Sequence, residues 1–288
     1  MLRIAIQSKG RLYEESMALL EEAGIKIPGG KRTLLVPARN FPVEVLFLRD
    51  DDIPESVASG VADVGIVGLN EVMEKRCPVG ILKKLGFGKC RLSLAIPQNI
   101  DYQDRNWFSG KKIATSYPGI LSDYLHKNGI VSDIHVITGS VEIAPGIRLA
   151  DAIFDIVSSG STLVSNRLKE VETVVESEAV LIGTDSISPE KRGILDELLF
   201  RFDSVQAADD KKYILMNVPQ KKLNDVLSVL PGIKSPTVMP LADKEWCSVH
   251  TVLDEKCFWE IINRLKTAGA EGLSLIHISE PTRQAEIS

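Results

Sequence analysis

The residues best equipped for chemistry lie in ADAIFDIVSSGSTL, residues 150–163. An apolar run (Ala152, Ile153, Phe154, Ile156, Val157) carries one acid, Asp155. It then enters Ser158, Ser159, Gly160 and Ser161, and Thr162 is expected to open a helix. A buried strand that feeds a helix N-terminus through such a loop aims backbone N–H groups and hydroxyls at one spot. The helix dipole favours negative charge there, and phosphate is the anion these donors suit. The same residues also describe an ordinary strand-to-helix turn with a serine cap. The loop alone leaves both readings open.

Carboxylates stand close by in sequence. Asp151 and Asp155, four apart on one expected strand, face the same side. Glu142 upstream could add a third acid. A phosphoribosyl donor needs this combination, an anion cradle for its 5-phosphate and acids for its ribose hydroxyls. Against this, Asp151 could merely start the strand and Glu142 could be a solvated loop charge. Arg49, followed by Asp50, Asp51 and Asp52, ends another expected strand, a favoured ligand position in open α/β folds. Arginine there offers a fork for phosphate or a plane for a base. Lys9 and Arg11 follow the first strand and could meet phosphates or simply cover the surface. Asp63, Gly65 and Gly68 in GVADVGIVG suggest close backbone approach, a pattern that non-catalytic binding lobes share.

The bulk properties narrow the classes. The chain has 288 residues, 44% hydrophobic and 25% charged, with a net charge of −5, so it can bury two or three ordinary domains. No long basic stripe favours nucleic acid. No signal-peptide pattern opens the sequence, and no apolar run reaches the roughly 18 residues of a membrane span. Cys77, Cys90, Cys247 and Cys257 lack CxxC pairing or histidines at metal spacing, which fits thiols of a cytoplasmic protein. No metal site built from protein ligands is expected. His126, His135 and His250 sit in no nucleophilic triad pattern.

Strands alternating with amphipathic helices through most of the chain predict α/β domains. Residues 1–97 and 178–206 are expected to form one lobe, and residues 98–177 a second lobe, with 98–110 as the linker into it. Beyond Ala207, KYILMNVP, a helix at 220–230, TVMPLA, WCSVHTVL and a helix at 255–268 give a βαββα unit over 207–272. One further strand would make it ferredoxin-like. That strand should follow Gly272, where the sequence turns unusual. LSLIHISEPTR (273–283) can be written in codons that match a transposon-end adapter from short-read library preparation. Residues 273–288 are therefore expected to be a non-native tail.

Together, RIAIQSKGRL, FLRDDDIPESVASGVADVGIVG, CRLSLAIP, KKIATSYP, GSVEIAPGIRLADAIFDIVSSGSTL, KYILMNVP and LPGIKSPTVMPLA resemble ATP phosphoribosyltransferase, the first enzyme of histidine biosynthesis, in its long form. The resemblance runs from Leu2 to about Gly272. It implies a bilobed core similar to periplasmic binding proteins, plus a ferredoxin-like (ACT-like) regulatory domain. It implies transfer of the phosphoribosyl group from PRPP to N1 of ATP with Mg²⁺ held mainly by the substrates, and diphosphate release. Asp155, Ser158, Ser159, Gly160, Ser161 and Thr162 are then the PRPP loop, with Glu142 and Asp151 as its partners and Glu142 and Asp155 as the catalytic acids. Lys9, Arg11, Arg49 and Asp63 become ATP and diphosphate contacts. Histidine would inhibit from the terminal domain, through the loops Leu230-Pro231-Gly232 and Ser235-Pro236-Thr237, in a dimeric or hexameric assembly. One departure stands out. Phosphoribosyltransferases with two adjacent acids before the loop differ from this chain, which has Phe154 before Asp155. A non-enzymatic receptor on the same lobes would leave the hydroxyl loop unexplained, and a catalytically idle subunit would be expected to have lost it.

Overall fold

A computed structural model describes residues 1–28, 33–209, 211–231 and 236–277. The sequence LRIAIQ, with apolar side chains on both faces, forms the buried strand β1 (Leu2–Gln7). Helix α1 (Arg11–Glu22) leads on to β2 (Leu35–Pro37) and β3 (Val43–Leu48). Pro54 sits in the first turn of α2 (Ile53–Ala58), where its missing N–H costs nothing, and β4 (Val64–Gly68), α3 (Leu69–Lys75) and β5 (Gly80–Lys84) follow. The chain then crosses to a second sheet. There it forms β6 (Cys90–Pro97), β7 (Lys112–Thr115), α4 (Pro118–Lys127), β8 (Asp133–Val136), β9 (Ala152–Val157), α5 (Ser161–Ser165) and β10 (Leu168–Ser177). It returns as β11 (Ala179–Gly183), and α6 (Pro189–Asp209) follows.

The first sheet has the order β2-β3-β1-β4-β11-β5, with β1 parallel to β3 and β4, and β11 antiparallel to both of its neighbours. The second has the order β10-β6-β9-β7-β8, with β7 parallel to β8 and β9. This is the bilobed α/β core that the sequence leads one to expect. Gly65 is required by packing: a Cβ there would lie 2.6 Å from Ile53 Cγ2 on α2.

Two boundaries differ from expectation. CRLSLAIP is expected in the first lobe, yet as β6 it pairs with β9 and β10 and belongs wholly to the second sheet. The crossing into the second lobe therefore lies between β5 and β6, not at 98–110. That stretch is part of the second lobe's core: Arg105–Phe108 form a 3₁₀ turn, Phe108 is fully buried, and Ile100, Tyr102 and Trp107 pack against the same cluster.

The chain divides into two compact units. The first holds Met1–Glu21 and Ile25–Asp196, hence both lobes; the second holds Glu22–Gly24 and everything from Glu197. The division falls inside α6, ahead of the expected boundary at 207. The second unit continues with β12 (Lys211–Pro219), α7 (Leu223–Val229), β13 (Thr237–Pro240), β14 (Trp246–Asp254), α8 (Glu255–Ala268) and β15 (Glu271–His277). Their sheet order, β13-β14-β12-β15, is that of a ferredoxin-like βαββαβ domain. Strand β12 alternates strictly, with Ile214, Met216 and Val218 facing a core completed by Phe258, Ile261 and Leu265 of α8. The strand expected after Gly272 is present as β15. Its Leu273 and Leu275 come from the segment set aside as non-native, and both pack against that core. Residues 278–288 of that segment lie outside the described residues.

Candidate active site

In parallel sheets the carboxyl ends of the strands gather the loops that can hold a ligand. Within the first unit five such ends matter: Ser8–Arg11 after β1, Arg49–Asp52 after β3, Leu69–Glu71 after β4, Ser116–Pro118 after β7, and Ser158–Ser161 after β9. Between them lies a cavity of about 300 Å³ whose lining includes Gln7, Arg11, Asp50, Asn70, Glu71 and Ser158. A second cavity of about 550 Å³ shares Cys90 and Ser158 with it and is lined also by Lys84, Lys89, Arg91 and Glu178.

The hydroxyl loop caps β9. Gly160 takes φ +80°, which glycine adopts without strain, and turns the chain into α5. That helix starts at Ser161, one residue before the expected Thr162, and is barely more than a single turn. So short a helix has little macrodipole, and the loop can attract an anion only through its own N–H and hydroxyl groups. Ser159 and Ser161 hydroxyls bond to each other at 2.9 Å. Ser158, Ser159, Ser161 and Thr162 are all exposed.

Asp155 lies on β9, on the face it shares with buried Ile153 and Val157. Burial raises its carboxyl from the ordinary 3.8 to about 6. The Ile156 N–H, donated to Oδ1 at 2.8 Å, pulls it back somewhat, while the charge of Glu142 raises it further. Glu142 sits in the 3₁₀ turn Val141–Ile143, so those two acids do come together.

From the first lobe, Arg11 reaches the loop directly: its Nη1 donates to Ser158 Oγ at 3.1 Å. Arg49, exposed, caps the 3₁₀ turn Asp50–Asp52 at the cleft end of β3, and Lys9 is exposed beside Arg11. These three basic residues stand on the strand ends that face the cleft.

Other expected site residues do not converge. Asp151 precedes β9, at the strand end opposite the hydroxyl loop, and its Oδ2 accepts the Lys112 N–H at 2.9 Å. Parity was right, but a six-residue strand places it roughly 20 Å from that loop. Asp63 likewise precedes β4, at the end away from the cleft. It accepts the Arg3 N–H at 2.8 Å and pairs with Lys191 Nζ at 2.8 Å, a structural tie to α6. In the second unit, Leu230 caps α7 and packs against the sheet core, Pro236 is half-buried, and Thr237 is exposed at the start of β13. Gly232 and Ser235 lie outside the described residues.

The cleft also holds residues that motif reading passed over. Glu71 and Asn70, on the first turn of α3, are buried beside Tyr117. Tyr117 Oη donates to Glu71 Oε1 at 2.9 Å, and Asn70 Nδ2 donates to the same oxygen at 3.0 Å. Ser177 Oγ donates to Asn70 Oδ1 at 2.8 Å. Burial pushes the Glu71 carboxyl up, against the pull of the Tyr117 hydroxyl. It also pushes the Tyr117 hydroxyl up, helped by the charge of Glu71. One turn on, Glu74 of the first lobe accepts the Gly119 and Ile120 N–H groups of α4 at 2.8 and 2.9 Å, capping a helix of the second lobe. Position at the end of β4 was the available signal for Asn70 and Glu71.

Known proteins share this architecture. The family model for ATP phosphoribosyltransferase matches residues 49–204, and the model for its C-terminal domain matches residues 208–280, running past Gly272. The ATP phosphoribosyltransferases of Bacteroides fragilis and Phocaeicola vulgatus are each 68% identical over 280 residues, covering 97% of this chain and 99% of theirs. That of Cytophaga hutchinsonii is 56% identical over 279 residues. Among solved structures, the ATP phosphoribosyl transferase (HisG:HisZ) complex from Thermotoga maritima superposes with a TM-score of 0.61 at 27% identity, covering 71% of this chain and all of that one. These relatives define a glycosyltransferase of the pentosyl-transferring type. The chain belongs to the ATP phosphoribosyltransferase family, which carries out the first step of histidine biosynthesis.

Proposed function

We propose that the cleft transfers the phosphoribosyl group of PRPP to N1 of ATP. The observation that carries this reading is the exposed hydroxyl loop with Asp155 at its root and Arg11 reaching it from the opposite lobe. Ser158, Ser159, Gly160, Ser161 and Thr162 take the 5-phosphate, and Asp155 accepts hydrogen bonds from ribose hydroxyls, with Glu142 beside it. Arg11, Lys9 and Arg49 face the diphosphate and nucleotide side.

The bond from the anomeric carbon to diphosphate breaks, and the N1 lone pair forms the new bond. Charge of oxocarbenium type builds on the ribose, as in glycosyl transfer generally. N1 carries no proton, so no general base is needed, and no histidine is assigned one. Catalysis rests on aligning two polyanions and neutralising the leaving group. Asp50 and Glu71 line the cavity and offer carboxylate oxygens of the kind a hard cation such as Mg²⁺ takes. Among the described residues no three His, Cys, Asp or Glu side chains are grouped to hold a metal. When bound, it would offset the charge of the departing diphosphate.

The ferredoxin-like domain supports feedback inhibition by histidine, with Leu230, Pro236 and Thr237 as its contacts, in dimers and hexamers. Among the described residues no helix is long and apolar enough to cross a membrane, in keeping with a cytoplasmic enzyme. Mixing the chain with ATP, PRPP and Mg²⁺ and following ultraviolet absorbance tests the reaction: growth of product absorbance is expected, and loss of it in Asp155→Ala. No product from the unaltered chain would favour a receptor or an idle subunit. A Thr237→Trp chain that responds to histidine as before would remove Thr237 from the inhibitor site.

A further inference from the structure

The hydroxyl loop must be held in one shape before an anion arrives, because a loop that orders on binding spends affinity on its own ordering. One side-chain cluster of the second sheet is placed to do this. Arg91 on β6 stands opposite Val157, the last residue of β9. From there its Nη1 donates to the carbonyl oxygen of Ser158 at 3.2 Å, the first residue of the loop. Glu170 on β10 holds the other edge of the same guanidinium: Nε donates to Oε1 and Nη2 to Oε2, each at 2.5 Å. Such a two-bond fork fixes the plane of the arginine as well as its charge. Glu170 is itself pinned, since Ser93 Oγ and Thr173 Oγ1 donate to Oε1 at 2.7 and 3.2 Å. Irregular register in β10 between Glu170 and Glu172, and again between Thr173 and Val175, brings these groups to one point. Those bonds hold the Glu170 carboxyl down to about 2, so it is anionic across the working range.

We propose that Arg91, fixed by Glu170, is a positioning residue that sets the shape of the donor-binding loop through the Ser158 carbonyl. This rests on the reading of Ser158–Thr162 as the loop for the PRPP phosphate. Arg91 need not touch substrate. Its role differs from that of Arg11, which meets the Ser158 hydroxyl from the first lobe and is exposed. Arg91 and Glu170 both stand in the second sheet, so their hold on the Ser158 carbonyl is made whether or not the first lobe engages.

The test compares full-length Glu170→Gln, Arg91→Lys and Glu170→Asp with the unaltered chain in steady-state kinetics. Glu170→Gln keeps the shape of the side chain but weakens the fork, and Arg91→Lys removes the fork while keeping the charge. Both are expected to raise the KM for PRPP about tenfold or more, with the KM for ATP nearly unchanged. Glu170→Asp, which restores the anion, should recover part of the loss. Amide hydrogen exchange across residues 158–162 in the ligand-free protein should quicken in the first two variants. Equal effects on both substrates would mark a general loss of structure and overturn the proposal, as would unchanged KM for PRPP with unchanged exchange. Should either variant fail to fold, the milder Ser93→Ala, which removes one bond to Glu170, should still shift the KM for PRPP in the same direction. Asp155→Ala separates the two layers. If it retains full turnover, the loop reading fails. If it abolishes turnover while Glu170→Gln binds PRPP normally, only the positioning role fails.

Discussion

Replacing Asp155 by Asn should make the protein more stable and inactive at once. Burial raises the carboxyl from 3.8 to about 6. In the unfolded chain it ionises near the lower value, so between the two the native state binds the extra proton and stability falls as pH rises. Across that interval the penalty accumulates to about 3 kcal/mol and then stays constant at higher pH. Asp155→Asn never ionises and escapes it. Its thermal midpoint should therefore exceed that of the unaltered chain at pH 8, and the advantage should vanish below about pH 3, where the carboxyl is protonated in the folded and unfolded chain alike. Activity should follow the opposite course, because ribose hydroxyls need the anion. In the unaltered chain kcat/KM for PRPP should fall about tenfold per pH unit once below roughly pH 6, and Glu142→Gln should move that fall to lower pH. Calorimetric scans at both pH values, paired with absorbance kinetics, check all of this. An Asp155→Asn chain that is no more stable at pH 8 would refute the burial argument, and one that turns over normally would refute the site.

Gly160→Ala is expected to cost about 1–2 kcal/mol through backbone strain alone, because the added Cβ would meet only Val157 Cγ1 at 3.9 Å. Its kinetic signature should be a raised KM for PRPP, read from substrate titrations. Lys191→Met leaves Asp63 without its ion partner and should lower the thermal midpoint without changing kcat per folded molecule, as active-site titration would report. Asp151→Ala should behave in the same way, with both KM values unchanged, because that carboxylate holds the start of β7 at the far end of the sheet.

Most of the architecture was legible because it is written in local pattern. LRIAIQ and AIFDIV announce buried strands, and the alternation of KYILMNVP with the apolar stripe of α8 announces the ferredoxin-like domain. The hydroxyl loop was legible for the same reason, since its residues are adjacent. What escaped was whatever depends on pairing between distant segments. CRLSLAIP reads equally well as a strand of either sheet, and only its ladders with β9 and β10 decide. Asp151 was misplaced because parity gives the face of a strand and not its end, and Asp63 because its motif does not say that it stands before β4 rather than after it. Glu71 looks like a surface acid of an amphipathic turn until Tyr117, 46 positions away, is found against it. Glu170 stands in RLKEVE, where nothing local ties it to Arg91, 79 positions away.

The position of β11 has a consequence for how the chain is made. It lies between β4 and β5 in the first sheet, and among the described residues β5 pairs with no other strand. As the polypeptide leaves the ribosome, β5 emerges long before residue 183, and the whole second lobe must be synthesised in between. The second lobe's sheet runs from β6 to β10 without borrowing from outside and can close first. Throughout that interval the amino-terminal sheet has an open edge at β4, the apolar VGIVG strand. Such an edge is prone to pairing with other chains until its own partner arrives. The lobe that begins the sequence is thus the last part of the core to be finished, and the nascent chain is most vulnerable there.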